Sequence, residues 1–75
     1  MQTDSFHIFQ QQLGARIQAT RKLRGLSQEE LAARLGMDRV SIGYIEQGKR
    51  APKLSTLHSL AIELNVTLCD LFEGL

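Results

Sequence analysis

The sequence predicts an all-α fold of five short helices. Apolar residues recur at intervals of three and four, which is the spacing of one face of a helix. No run of residues alternates with the period of two that is typical of a half-buried strand. Residues that favour helix N-termini stand at short intervals, and most predicted helices are followed by a residue that favours a helix end. Together these observations divide the chain into helices joined by short turns.

The first helix is predicted over about residues 5–24. Phe9, Leu13 and Ile17 are each four residues apart and form one apolar face. Gly25 is expected to end the helix, because glycine adopts the left-handed conformation of a helix C-terminus without steric cost.

The second and third helices begin at capping residues. Ser27 and Glu30 have the spacing of a capping box, in which each side chain accepts a backbone N–H bond from the other residue. This motif predicts a helix over residues 28–35. Asp38 is the expected N-cap of a third helix over residues 39–47, where its negative charge also meets the positive end of the helix dipole.

These two helices are joined by a turn of three residues that contains Gly36, and they form a candidate helix-turn-helix. Such helices cross steeply, so a small residue is needed at the contact, and Ala32 faces it. The inner faces are predicted to be apolar at Leu31, Leu35, Met37, Ile42 and Ile45.

Two further helices are predicted after Pro52, a residue that favours helix entrances. The fourth helix is expected to end at Asn65. The fifth begins with Thr67 as its cap and Asp70 at the reciprocal position of a capping box. The apolar positions of the fourth helix are Leu54, Leu57, Leu60, Ala61 and Leu64, and those of the fifth are Leu68, Leu71 and Phe72.

The length of 75 residues is expected to form one domain over residues 1–75, with residues 1–5 loose. The one cysteine, Cys69, excludes an internal disulfide and a cysteine-based zinc site, and we expect it to be half-buried on the fifth helix. Purely apolar stretches are only two or three residues long, so no membrane span is predicted. With no secretory signal in the first 25 residues, we expect a cytoplasmic protein.

Nothing in the residue pattern indicates general acid/base or nucleophilic catalysis, so an enzyme is not predicted. The two histidines, His7 and His58, lack the spacing of metal ligands. Accordingly we expect no cofactor, no metal and no small-molecule ligand.

The charges are distributed unevenly although the net charge is only +1. All nine Lys and Arg lie between Arg16 and Lys53, a stretch with four acidic residues and a net charge of +5, and the flanks carry −4. A basic middle is consistent with a nucleic-acid partner. The alternative is chance placement on a solvated surface.

The combination of residues resembles the lambda-repressor-like (Cro/repressor, or XRE-type) helix-turn-helix family. The resemblance covers about four-fifths of the chain, from about Leu13 to Phe72. The matching positions are Arg21-Lys22, the string from Gly25 to Ala32, Gly36, Ile42, Ile45-Glu46, Gly48-Lys49, Pro52, Leu57, Ala61-Ile62, Leu64, Val66 and Leu71-Phe72. The resemblance implies a five-helix DNA-binding fold, which agrees with the helices predicted from periodicity. The size of the chain is similar to that of small phage-type repressors and restriction–modification controllers of this family.

The third helix is the expected DNA-contacting element, with its N-terminal residues at base edges in the major groove. Ile42 and Ile45 define its buried direction, so Val40, Gly43, Tyr44 and Gln47 are predicted to point away from the core. Arg39 is the first choice for a base contact, because guanine O6 and N7 accept its two parallel donors. Val40 suits a thymine methyl group and Tyr44 suits a base or a phosphate, and the lack of a side chain at Gly43 allows either close approach or simple tolerance. Asp38 lies beside the same groove and either discriminates among bases or only caps the helix.

The remaining site residues are implied by the family resemblance or by position. Gln28 matches a family glutamine that contacts the DNA backbone, and Ser41 and Lys49 match family phosphate contacts. Arg50 and Lys53 are placed near the DNA by loop position alone. Arg21 and Glu46 match a family pair that forms a partly buried salt bridge, whereas the alternative for Arg21 is a further phosphate contact.

The sequence favours a transcriptional regulator that binds double-stranded DNA at an inverted repeat as a homodimer, since one recognition helix contacts only a few base pairs. The expected dimer surface lies on the fourth and fifth helices at Leu68, Leu71, Phe72 and Leu75, unless these residues only close the core. Alternatives are an antitoxin that also binds a protein toxin and an interaction module that has lost DNA binding. In some activators of the family the second helix touches RNA polymerase, so Glu29 and Arg34 are either such a contact or a solvated face.

Overall fold

The computed structural model describes residues 5–75, and this part of the chain contains five α-helices and no strand. The helices are α1 (Ser5–Leu23), α2 (Gln28–Leu35), α3 (Arg39–Glu46), α4 (Leu54–Leu64) and α5 (Leu68–Phe72). The predicted all-α fold is confirmed. The segment expected to be loose lies outside the described residues at positions 1–4, and its last residue, Ser5, already belongs to α1. Within the described range, none of the helices has the length and apolar character that a membrane crossing requires.

The helix ends form as the capping residues predict. The Glu30 backbone N–H donates to Ser27 Oγ at 3.0 Å, and the Ser27 N–H donates to Glu30 Oε1 at 2.8 Å. Thr67 and Asp70 form the same reciprocal pair at α5. In both motifs the backbone N–H of the cap residue stabilises the ionised carboxyl, which lowers the pKa of Glu30 and of Asp70. Gly36 ends α2 with a φ of 67°, in the left-handed region that favours glycine.

The core lies where the apolar faces of all five helices meet. Its fully buried side chains are Ile17, Leu31, Ile42, Leu60, Leu64 and Leu71. Two expectations about single residues are wrong. Leu54 was assigned to the apolar face of the fourth helix, yet as the first residue of α4 it is 75% exposed. Cys69, expected to be half-buried, is exposed on the outer side of α5.

The close contact between α1 and α3 depends on Gly14, a residue that the sequence analysis did not single out. A Cβ atom built at this position would lie 2.7 Å from the Glu46 carbonyl oxygen and closer still to that of Ile45. Both neighbours are backbone atoms of the last turn of α3, so neither can move without shifting the helix. The missing side chain therefore sets how closely α1 supports α3.

Arg16 of α1 and Arg24, which follows α1, hold the C-terminal ends of the last two helices. Arg16 donates to the carbonyl oxygens of Asp70 and Glu73 at 2.8 and 2.7 Å. Arg24 donates to those of Leu64 and Asn65 at 2.7 and 3.2 Å. Carbonyl groups at helix C-termini lack partners in their own helix and carry partial negative charge, so a guanidinium stabilises them. Part of the positive charge in the middle of the sequence thus stabilises helix ends of the protein itself.

Candidate nucleic-acid interface

The third helix, α3, has one buried and one exposed side. Ile42, Ile45 and Glu46 face the core. Arg39, at the first position of the helix, is exposed, and Val40 and Tyr44 are 50% and 40% exposed. An exposed valine and tyrosine beside an arginine form a surface that combines apolar contact with hydrogen-bond donors, which is what base edges in a major groove require.

The rotation of α3 is held by a buried ion pair. Arg21 Nε lies 2.6 Å from Glu46 Oε2, and Arg21 Nη2 donates to Glu46 Oε1 at 3.1 Å. The expected salt bridge between Arg21 and Glu46 is therefore present, in the two-bond geometry that fits guanidinium to carboxylate. The third donor of the guanidinium, Nη1, bonds the Leu26 carbonyl at 2.8 Å, so Arg21 also anchors the segment that precedes α2.

Gln28 completes this network. Its amide Nε2 donates to Glu46 Oε1 at 2.9 Å, which links the first turn of α2 to the last turn of α3. All buried side-chain polar atoms within residues 5–75 have hydrogen-bond partners. The carboxylate of Glu46 is thereby fixed from two helices, and α3 has little freedom to rotate about its axis.

The N-terminus of α3 is capped by Asp38. Its Oδ1 accepts the Ser41 backbone N–H at 2.7 Å. This bond lowers the pKa of the Asp38 carboxyl, and the nearby positive charge of Arg50 lowers that pKa further. Capping is the role that Asp38 has in this structure. Its carboxylate remains exposed beside Arg39 at the same end of the helix.

Positive charges follow α3 in the loop that leads to α4. Lys49, Arg50 and Lys53 are all exposed. Arg50 folds back on α3, where Nη1 donates to Ser41 Oγ at 3.0 Å and Cζ lies 5.2 Å from the centre of the Tyr44 ring. The side chains of Lys49 and Lys53 make no hydrogen bond or ion pair within residues 5–75. The exposed side of α3 thus has a positively charged rim.

Two of the predicted site residues lie elsewhere than expected. Gly43 was expected to point away from the core, but it is buried because α2 covers it, with Gln28 Nε2 3.9 Å from the position of a Cβ atom. Leu71 was assigned to a dimer surface, but it is 1% exposed and packs in the core, as a residue on the inner side of α5 must. Leu68, Phe72 and Leu75 are partly buried against the same core, and the Phe72 ring stacks on that of Phe9 at 5.9 Å.

The second helix places Glu29 and Arg34 on its exposed side. Arg34 Nη1 lies 4.0 Å from Glu63 Oε1 of α4, which is an ion pair between two partly exposed side chains. Such pairs contribute little to stability.

The helices α2 and α3 pack together and are joined by a turn of three residues. With the capped start of α3, its exposed side and the positively charged rim, they form a helix-turn-helix of the kind that binds DNA. Comparison with known proteins agrees. The model of the helix-turn-helix family HTH_3 matches residues 17–71, and the chain belongs to this family.

The chain is similar to proteins that control transcription. It is 40% identical over 58 residues to YazB of Bacillus subtilis, an uncharacterised HTH-type transcriptional regulator, covering 77% of this chain and 84% of that protein. It is 40% identical over 50 residues to the control protein C.MunI of Mycoplasma sp., covering 67% of this chain and 68% of that one. The crystal structure of the restriction-modification controller protein C.AhdI from Aeromonas hydrophila matches with a TM-score of 0.84 and 35% identity, covering 88% and 96% of the two chains. The protein is a DNA-binding helix-turn-helix transcriptional regulator, and the resemblance stated from the sequence is confirmed.

Proposed function

We propose that the protein binds an inverted-repeat operator as a homodimer, with one α3 in the major groove of each half-site, and acts as a small controller or repressor. The observation that carries this proposal is the division of α3. Its inner side is fixed by Glu46, and its outer side presents Arg39, Val40 and Tyr44 to solvent. A helix held this firmly offers its side chains to base edges in one orientation, so the entropic cost of binding is low.

The base contacts are assigned to the exposed N-terminal half of α3. Arg39 suits guanine, because it donates two parallel bonds to O6 and N7. Val40 suits the methyl group of a thymine, and the Tyr44 ring extends the same surface. Asp38 adds a negative charge that disfavours bases presenting acceptors at its end of the helix. Gly43 is assigned no base contact, because α2 covers it.

The phosphate contacts are assigned to the residues around that surface. Lys49 and Lys53 are free to reach the DNA backbone from the loop, and Arg50 adds a further positive charge. Ser41 accepts from Arg50, so its own hydroxyl proton remains available to a phosphate oxygen. Gln28 stands in the first turn of α2, where a helix N-terminus favours an anion.

The proposed homodimer follows from the size of the site. One α3 contacts only a few base pairs, and two copies on one face of the duplex place their half-sites about 34 Å apart. The relatives named as control proteins support a regulatory role.

Selection of bound sequences from random duplex DNA, at physiological salt with excess competitor, tests this proposal. We expect an enriched inverted repeat with half-sites about one helical turn apart. Arg39→Ala should lose the preference at one base pair in each half-site, at a cost of about 1–3 kcal/mol. Arg34→Ala, which removes an exposed arginine from the far end of α2, serves as the matched control and should select the same repeat. Binding that depends on salt but enriches no sequence would contradict operator recognition.

A further inference from the structure

Arg50 is engaged by the recognition helix before any DNA is bound. Its guanidinium stands over the Tyr44 ring, with Cζ 5.2 Å from the ring centre, and Nη1 donates to Ser41 Oγ at 3.0 Å. Ser41 and Tyr44 are three residues apart, which places them side by side on one face of α3. These three residues are called the Arg50 cluster below.

The backbone holds Arg50 in register with its two partners. The Lys49 backbone N–H donates to the Tyr44 carbonyl oxygen at 2.9 Å, and the Gly48 N–H donates to that of Ile45 at 3.1 Å. The chain therefore leaves α3 by a fixed turn that returns residue 50 to the helix. Because the start of the side chain is fixed, its guanidinium is confined to the space above Ser41 and Tyr44.

The cluster restrains a side chain on the DNA-facing side of α3. Tyr44 is 40% exposed, and on a bare helix face its ring would exchange between rotamers. A cation over an exposed ring stabilises that arrangement about two- to fivefold over its alternatives. The adjacent cation Lys49 has no such role, since its side chain makes no hydrogen bond or ion pair within residues 5–75.

We propose that Arg50 is a positioning residue for base selectivity, which holds Tyr44 and Ser41 in the arrangement that α3 presents to the major groove. This inference rests on the proposed operator-binding function. It assigns to Arg50 a role that differs from a phosphate contact, because its effect on DNA passes through Tyr44.

The first test uses the protein without DNA. Tyr44 is the single tyrosine and the chain has no tryptophan, so tyrosine fluorescence and the NMR signals of the tyrosine ring report on the cluster alone. Arg50→Gln should change both signals and should lower the melting temperature by only a few degrees, because the cluster is exposed and its contribution to stability is small. Lys49→Gln is the matched control and should change neither. Ring signals that are identical in wild type and Arg50→Gln would overturn the inference.

The second test measures base preference on the selected operator. Arg50→Gln should weaken discrimination by about two- to fivefold at the base pair next to Tyr44. The same substitution should have no effect on preference in a Tyr44→Leu background. Arg50→Lys should retain more base discrimination than Arg50→Gln, since lysine keeps a cation near the ring but lacks the planar guanidinium group.

Lys49→Gln provides the signature of a plain phosphate contact, which is weaker binding to all sequences and a salt slope reduced by about one. If Arg50→Gln gives that signature and leaves base preference unchanged, the positioning role is wrong while operator recognition stands. If the wild-type chain selects no sequence, the proposed function fails, and the role of Arg50 fails with it. The tyrosine signals decide independently of DNA whether the cluster forms.

Discussion

The guanidinium of Arg21 and the carboxylate of Glu46 meet through two hydrogen bonds, of 2.6 and 3.1 Å, and join α1 to α3 inside the protein. Both residues are buried. A charge pair in this position is sensitive to the loss of one member, because the remaining charge stays in a poorly solvated place. The stability of the protein and the orientation of α3 therefore depend on the same pair.

Arg21→Met should destabilise the protein by about 3–5 kcal/mol, since it leaves Glu46 buried with only Gln28 as a donor. A chain of 75 residues has a free energy of unfolding of about 4–11 kcal/mol, so this variant should lose a large share of its stability. Urea denaturation followed by circular dichroism measures the effect. Arg34→Met breaks the exposed pair with Glu63 and should cost less than about 1 kcal/mol. Equal losses of unfolding free energy in the two variants would show that the buried pair contributes no more to stability than the exposed pair.

Gly14→Ala should destabilise the protein by about 1–3 kcal/mol, because the added methyl group meets the backbone carbonyl groups of Ile45 and Glu46. Gly43→Ala is the matched control, a glycine to alanine change inside a helix where the nearest atom lies 3.9 Å away. It should raise stability by up to about 1 kcal/mol through helix propensity. Thermal melts of both variants measure the opposite signs. A Gly14→Ala protein as stable as the wild type would contradict the proposed packing constraint.

Acid should weaken the helix caps. Hydrogen bonds from backbone N–H groups lower the pKa values of Glu30, Asp38 and Asp70 in the folded protein. A carboxyl with a lowered pKa adds stability that is fully present above its ordinary pKa, near pH 4, and is lost as the pH falls through the lowered value. The urea midpoint should therefore fall steadily below about pH 4. Asp38→Asn keeps a good cap but removes one titrating group, so its midpoint should fall less steeply than that of the wild type. If the urea midpoints of the two proteins fall equally steeply with pH, Asp38 does not contribute to the loss of stability in acid.

The dimer surface is expected on α4 and α5, at Leu68, Phe72 and Leu75, and we predict that it also includes the outer side of α4. Leu71 is inside the core, whereas Ile62 is 61% exposed on the helix that precedes α5. Ile62→Glu should raise the dimer dissociation constant by about tenfold or more, because it replaces an apolar contact with a charge. Leu23→Glu makes the same kind of change at a residue that is 85% exposed at the end of α1, and it should leave the dimer intact. Sedimentation equilibrium measures both constants, and a monomeric wild-type protein at micromolar concentration would contradict the dimer.

The local sequence was sufficient to predict the helices, because caps and helix ends depend on groups only a few residues apart. Ser27 with Glu30, Asp38 alone, and Thr67 with Asp70 each begin a helix as their spacing predicts. Periodicity was equally sufficient for the inner side of α3, where Ile42 and Ile45 are buried. The DNA contacts assigned to α3 stay predictions.

Only the tertiary structure decided which residues are buried by other helices. It also decided which charged side chains pair with groups far away in the sequence. Periodicity placed Gly43 on the outer side of α3 and Leu54 on the inner side of α4, yet α2 covers the glycine and the leucine is 75% exposed. The spacing of residues did not indicate that α3 packs closely against Gly14. Nor did it indicate that the Arg50 side chain lies over the Tyr44 ring. Helix formation is determined by neighbours in the sequence, whereas burial and long-range pairing depend on how the finished helices pack.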